Sequence, residues 1–371
     1  VGLDTEFLRE KTYRARLCLV QISTRKRIYL LDPLEDVDLG PVAALLSDPE
    51  IEVVVHAGRQ DFEIFFERYD ALPCNVFDVQ VAAGLAGYGA SLPYGRLVQS
   101  ITKTVLEKGE SYSDWCKRPL TESQLTYAAD DVRYLIVIMD RLKEELFAKD
   151  RLQWVEAEMQ PLTSASTYES DPGAAWRRIS GRGTLSGKQT SVLVEIARWR
   201  EEAAMQRDIP RGWVLKDQIL IELARRSPSS VQALKGIRGM AAREADKSGS
   251  AILAAIERGR EAPPVESKDG PSRAAQTRAR TLSGLADAIV RSRCDEAGIA
   301  PELVSTRGEL EGLLAAVFDG AVTVATGEAQ PHRLLRGWRR ELAGGAVLAL
   351  AEGRIAVRSI DQAPYIEEVP L

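Results

Sequence analysis

VGLDTEFLREKTYRARLCLVQISTRKRIYLLDP, residues 1–33, carries three β-rich apolar runs, at 1–7, 16–22 and 27–33, with basic turns between them. Runs of this kind joined by short turns predict a three-stranded meander. Downstream, LGPVAALLSDP (39–49) reads as a helix, IEVVVHA (51–57) as a buried strand and DFEIFFERY (61–69) as a helix again. A meander followed by strand–helix alternation predicts an α/β domain with one mixed sheet flanked by helices. A single helix is expected from Glu122 to Lys149. Beyond residue 185 the apolar spacing is helical: Val192, Ile196, Trp199 and Ala203 share a stripe, as do Ile219, Leu220 and Leu223. Further helical stretches lie at 281–293, 309–317 and 333–352. Two Pro-, Gly- and Ser-rich stretches, 171–183 and 261–273, read as linkers. They divide the chain into an α/β domain over 1–170 and two small all-α modules over 184–262 and 275–358.

The chain has 371 residues, 49 Lys+Arg against 54 Asp+Glu, and a formal net charge of -5. Two or three domains are expected at this length. The balance conceals an asymmetry. Residues 1–150 hold 18 basic and 25 acidic side chains, whereas residues 177–260 hold 17 basic and 9 acidic ones. The basic window is a candidate phosphate-contacting surface. Two histidines, His56 and His332, exclude a multi-histidine zinc or iron site within one chain. Four scattered cysteines without a C-x-x-C pair argue against a disulfide framework or an iron–sulfur cluster and fit a reducing compartment. No apolar run suits a membrane span and no secretory signal opens the chain, so a cytoplasmic protein is expected. Because the chain starts in a strand without Met, a short preceding N-terminal piece is expected too.

Catalysis must therefore rest on carboxylates. Asp4 and Glu6 stand at i and i+2 in the first strand, a period that places both on one face of the sheet. Asp61 follows the strand at 51–57 and begins a helix, at the carboxyl edge where open sheets bind ligands. Tyr127 and Asp131, at i and i+4, stack on one helix face. Asp130 points about 100° away and is left outside the set. Four acids and a tyrosine form a hard-oxygen site that suits Mg²⁺ or Mn²⁺. Two such ions support phosphodiester hydrolysis by activating a water and stabilising the leaving oxygen.

At these residues the chain resembles ribonuclease D, of the DEDD superfamily of 3′→5′ exonucleases. LDTEFLREKTYRARLCLVQIS (3–23), VVVHAGRQDFEIF (53–65) and LTYAADDVRYL (125–135) are similar to its three exonuclease motifs, the third in its Tyr-x-x-x-Asp form. SDWCKRPLT (113–121) resembles the segment that precedes the third motif. Residues 184–228 are similar to a helicase-and-RNase-D C-terminal (HRDC) domain, and HRLLRGWRRELAG (332–344) to the close of a second, divergent one. The resemblance implies a ribonuclease H-like α/β domain followed by two HRDC-type domains. It also implies a monomer acting on RNA with a single-stranded 3′ end, tRNA precursors included, and releasing nucleoside 5′-monophosphates. Asp4 would bridge two divalent cations, Glu6 and Asp131 would complete the site of the attacking water, and Asp61 would serve the second ion. Tyr127 would orient the water, since a phenol of pKa ~10 is a poor base at neutral pH.

Further substrate contacts are expected from Phe7 and Leu8, which could wedge against the terminal base, and from Lys108, Trp115 and Arg118. His56 reads chiefly as structural, with a substrate contact as its second role. In LKGIRGM (234–240), Gly236 and Gly239 flank a basic turn that could approach a phosphate, with Lys235 and Arg238 as candidate contacts alongside Lys216, Arg225 and Arg226. The same acids would equally serve a DNA exonuclease, because the 2′-hydroxyl contacts that separate the two leave no motif. A non-catalytic nucleic-acid-binding scaffold is the third reading.

Overall fold

The structure is a computed structural model that describes residues 1–107, 110, 113–265, 271–322, 332–363 and 365–371. Strands β1 (Gly2–Leu8), β2 (Arg16–Ser23) and β3 (Ile28–Leu31) form the expected antiparallel meander. After helix α1 (Gly40–Leu46), β4 (Val53–Val55) adds in parallel to β1, and β5 (Val76–Asp78) pairs with β4 beyond helix α2 (Arg59–Tyr69). The sheet order β3-β2-β1-β4-β5 makes β1 the central strand. Helices α3 (Val79–Ala86) and α4 (Tyr94–Thr102) precede α5 (Glu122–Arg133), α6 (Leu135–Ala148) and α7 (Leu152–Met159). The parallel β4 is wholly buried and uniformly Val, as strands covered on both faces are.

The helix expected over 122–149 is two helices that meet at Tyr134. The Tyr134 N–H is held by the Tyr94 hydroxyl at 3.4 Å, a contact that belongs to tertiary structure and leaves no Gly or Pro in the sequence. Thr121 starts α5 with a capping box on Gln124, which stabilises a helix end by about 1 kcal/mol.

The basic module comprises α8 (Gly187–Arg207), α9 (Arg211–Val214), α10 (Asp217–Arg226), α11 (Val231–Lys235) and α12 (Ala242–Glu261). Its core of Val192, Ile196, Leu220, Leu234, Ile252 and Ile256 is separate from the α/β core. Gly259 permits the crossing of α12 over α8, because a Cβ there would lie 2.4 Å from the Val192 Cα. The stretch 171–183 is not a linker: Pro172–Arg178 is a 3₁₀ helix, and Ala175 and Ile179 are buried in the module's core, which therefore begins before residue 184. The second stretch, 261–273, lies partly outside the described residues.

The C-terminal unit contains α13 (Arg273–Ala297), α14 (Pro301–Val304) and α15 (Arg307–Phe318), then α16 (Gly337–Arg339), a π turn at Arg340–Gly344 and α17 (Gly345–Ala351). It is not all-α. An antiparallel hairpin, β6 (Ile355–Ser359) and β7 (Ile366–Pro370), closes it past the expected boundary at 358. Unlike the basic module it shares the core of the α/β domain. Trp338 stacks on Trp154 at 4.8 Å, and Glu158 accepts from the Trp338 indole at 3.0 Å and from both terminal nitrogens of Arg339. No helix among the described residues is long and apolar enough to cross a membrane.

Candidate active site

Strand β1 carries Asp4 and Glu6 on one face, paired across to Gln21 and Leu19 of β2, while Leu3 and Thr5 are buried on the other. Immediately after Glu6 the register shifts, so that Phe7 faces Leu17 and Cys18 is the extra residue of a bulge. Bulges of this kind re-aim the strand next to functional sites. Helix α5 brings Asp131 to the same face: the ligand oxygens of Asp4, Glu6 and Asp131 all lie within 4.8 Å of one another. Among the described residues this is the one group of three or more metal-type side chains that converge so closely.

Asp61 is set beside this triad by the turn between β4 and α2. Gly58 is required there, because a Cβ would collide with the Val55 side chain at 2.6 Å. The turn is fixed by Asp78, whose carboxylate accepts from the Ala57 and Gly58 N–H groups at 3.0 and 3.2 Å and also caps α3. Asp61 is buried and accepts a hydrogen bond from the Thr5 hydroxyl, which ties it to the central strand. Tyr127, one helical turn before Asp131, hydrogen-bonds to the Asp131 carboxylate, and its ring lies 5.8 Å from that of Trp115. Asp130 is turned outward into an ion pair with Arg133 at 2.7 Å, as its helical angle requires.

Comparison with known proteins places this arrangement. Residues 1–147 match the family model of a 3′-5′ exonuclease, and residues 189–256 that of the HRDC domain. A ribonuclease D of Gluconacetobacter diazotrophicus is 38% identical over 96% of this chain and 88% of its own. One from Jannaschia sp. is 36% identical over 100% of this chain and 94% of its own. The chain belongs to the ribonuclease D family. The crystal structure of Escherichia coli RNase D, an exoribonuclease involved in structured RNA processing, superposes with a TM-score of 0.80 at 30% identity, covering 95% of this chain and 92% of that one. Like its relatives, then, the chain is a 3′-5′ exoribonuclease.

For an enzyme of this family the electrostatics of the site are informative. Burial is the first cause of an upward shift in each acid. It lifts Asp4 well above the ordinary carboxylate range, with repulsion from Asp61, Asp131 and Glu6 adding to it. Glu6 is pushed up to about 8, and Asp61 and Asp131 to about 7. Four acids, Asp61 buried and Asp4, Glu6 and Asp131 half-buried, with no cationic side chain among the causes of their shifts make an array that a proton or a divalent cation must neutralise. The donors are all carboxylate oxygens, which fits Mg²⁺ or Mn²⁺. Unfolded carboxylates titrate near ~4, so between about pH 4 and 8 these four acids hold more protons in the folded protein than in the unfolded chain, and their contribution to stability falls as pH rises. In chelator, the melting temperature will accordingly drop between about pH 5.5 and 8.5. Added Mg²⁺ will raise it more at the higher pH, where fewer protons compete. Differential scanning fluorimetry checks this, and an Mg²⁺ response equal at both pH values would contradict it.

The structure gives several expected substrate contacts other work. Arg118 donates to Asp32, to the Cys18 carbonyl at 2.8 Å, and to the Trp115 and Lys117 carbonyls. Its guanidinium is a structural clamp, not a free cation. Trp115 is 2% exposed and packs with Cys18, Leu19 and Ala128, so it seats Tyr127 and does not face substrate. His56 is structural: its Nε2 lies 3.0 Å from the Leu92 carbonyl and its ring meets Tyr94 edge-on at 5.4 Å. Phe7 is half-buried against the main core, whereas Leu8 is half-buried against the cluster that holds Trp115 and Tyr127. Lys108 lies outside the described residues. Cys18 and Cys116 are joined in a disulfide between β2 and the Trp115 segment, contrary to the expectation of free thiols. Cys74 and Cys294 are free.

In the HRDC module Lys235 is paired with Asp246 at 2.6 Å, and Gly236 caps α11. Gly239 turns the chain with φ 88° and, with Arg238, lines a groove of about 910 Å³. Lys216 and Arg226 reach this groove, although Arg226 is tied to Glu222, and Arg225 is held by Glu222 and Thr184. Sequence reasoning missed Asp78 and Trp213. The first was signalled by an acid between a strand and a helix in VFDVQ (76–80), and the second by an aromatic inside the basic window. Trp213 is 62% exposed on the groove.

Proposed function

We propose that the chain is a divalent-metal-dependent exoribonuclease that trims single-stranded RNA 3′ ends, those of tRNA precursors among them. It would act as a cytoplasmic monomer and release nucleoside 5′-monophosphates. The convergence of Asp4, Glu6 and Asp131 with Asp61 buried alongside carries this reading. Asp4, Glu6 and Asp131 would hold one cation, with Asp4 and Asp61 holding a second. When bound, such a pair supplies a water acidified for attack and charge to stabilise the leaving 3′-oxygen.

The protein's own groups supply orientation. Asp131 fixes the Tyr127 hydroxyl, Trp115 fixes its ring, and the phenol is thereby placed to hold a water in line with the scissile phosphate. Leu8, and Phe7 beyond the bulge, stand at the end of β1 where a terminal base would lie. The HRDC module adds positive charge outside the acidic domain, which attracts an RNA backbone at long range. We assign the helices between Arg273 and Ala351 to a second, divergent HRDC unit on the strength of the 332–344 segment.

Matched RNA and DNA oligonucleotides with single-stranded 3′ tails, followed on a gel in Mg²⁺ and in chelator, test the proposal. Stepwise shortening of RNA in Mg²⁺ alone is expected. Equal rates on DNA would reassign the substrate, and hydrolysis in chelator would end the metal reading. In the same assay Tyr127→Phe will lower kcat by roughly 10²–10⁴-fold, the usual worth of one positioned proton-handling group, with KM little changed. A wild-type kcat would remove Tyr127 from the reaction.

A further inference from the structure

Five residues past Leu8, the loop leaving the catalytic strand makes a dense polar contact with the HRDC module. The backbone N–H groups of Tyr13 and Arg14 both donate to Asp208 Oδ1, at 3.1 and 3.0 Å. Asp208 is the left-handed cap that ends α8, with φ 45°. The Tyr13 hydroxyl donates to Glu201 Oε1 at 2.6 Å. Arg211 donates to the same oxygen at 2.7 Å, and its guanidinium lies 5.4 Å over the Tyr13 ring. The Glu201 side chain is 3% exposed. A carboxylate that deeply buried is stable only while its donors stay in place, so the contact is selective for this one seating of the loop.

The HRDC side of the contact leads straight to the basic groove. Arg211 opens α9, and Trp213 on the same short helix borders the groove with 62% of its surface exposed. Around it, Lys216, Arg238, Arg243 and Lys247 line the groove without an ion-pair partner among the described residues. An exposed indole among unpaired cations suits a single strand, whose bases stack on aromatics while phosphates meet the charges. One continuous path of contacts therefore joins β1, which bears Asp4 and Glu6, through Tyr13, Glu201 and Arg211, to this groove.

We propose that Tyr13 and Asp208 form a latch that fixes the HRDC groove relative to the carboxylate site, so that RNA held beside Trp213 enters the site in register. Tyr13 and Asp208 are thus positioning residues, and the inference rests on the exoribonuclease reading and on RNA occupying the groove. The latch matters only for a strand long enough to engage both places. A dinucleotide occupies the carboxylate site alone.

Steady-state kinetics on a long 3′-tailed RNA and on a dinucleotide, with the full chain, provide the test. Tyr13→Ala will raise KM for the long RNA about tenfold while leaving its kcat within about twofold, and will leave dinucleotide kinetics unchanged. Asp208→Ala will do the same from the HRDC side, which keeps the test available if the loop variant fails to fold. Tyr13→Phe, which keeps the ring under Arg211, will fall between. A groove variant, Lys216→Glu/Arg243→Glu, will also raise KM for the long RNA, and combining it with Tyr13→Ala will add little, because the two act as a unit. Equal losses on both substrates, no loss on either, or fully additive losses in the combined variant would overturn the latch. An unchanged KM in the groove variant alone would overturn RNA occupancy of the groove while leaving the exoribonuclease reading intact.

Discussion

Asp4→Asn will abolish RNA trimming, by ~10³-fold or more, and in chelator at about pH 8 will melt at a higher temperature than the wild type. Both halves follow from the same position. Asp4 lies among Glu6, Asp61 and Asp131, and each of the three raises its proton affinity. Without its charge the site loses the carboxylate that the proposed pair of cations would share, and losing preorganised charge stabilisation of this kind costs on the order of 10²–10³ in rate even for a single donor. Without a cation the same charge is a liability in the folded state. Removing one half-buried, repelled carboxylate is expected to stabilise by about 1 kcal/mol, or ~2–4 °C for a domain of this size. As pH falls and the folded protein takes up a proton on Asp4, the stability difference will shrink. Gel trimming assays and melting curves in chelator measure the two effects. A variant that trims normally, or that melts below the wild type at the higher pH, would count against the assignment.

Asp61→Asn will likewise lose ~10³-fold in kcat, with KM for RNA within about twofold and the fold intact. The amide oxygen can still accept from Thr5, whose hydroxyl holds Asp61 against β1, and Asn fills the same space. What it removes is the charge that the proposed second cation would need. The contrast with Asp78 is useful. Asp78 anchors the Ala57–Gly58 turn and caps α3, and its charge adds to the upward shift of Asp61, so its effect on rate would come through the placement and charge of Asp61.

The parts of the site legible in sequence were those set by local geometry. The i, i+2 spacing of Asp4 and Glu6 and the i, i+4 spacing of Tyr127 and Asp131 each fix a shared face whatever surrounds them, and the structure keeps both. Asp61 was reachable because it follows a strand and starts a helix. Arg118 and Trp115 were misread because a cation and an aromatic in a loop look available until the loop folds. Here the guanidinium finds Asp32 and three carbonyls, and the indole is covered by β2 and α5. The helix break at Tyr134 depends on a hydroxyl forty residues earlier. The Cys18–Cys116 bond spans 98 residues of sequence and leaves no spacing signal. The hairpin at Ile355–Ser359 and Ile366–Pro370 did leave one, since Ile355 and Val357 alternate after the Gly353 turn, but the helical pattern before it masked the change of period.

If the four acids hold two cations, as proposed, Asp61 is needed only for the second. Anomalous diffraction from Mn²⁺-soaked crystals tests it most directly. The wild type should show two Mn²⁺ peaks ~3.5–4 Å apart, one against Glu6 and Asp131, one against Asp61, with Asp4 between them, and Asp61→Asn should keep only the first. A single peak in the wild type, or two peaks surviving in Asp61→Asn, would contradict the account.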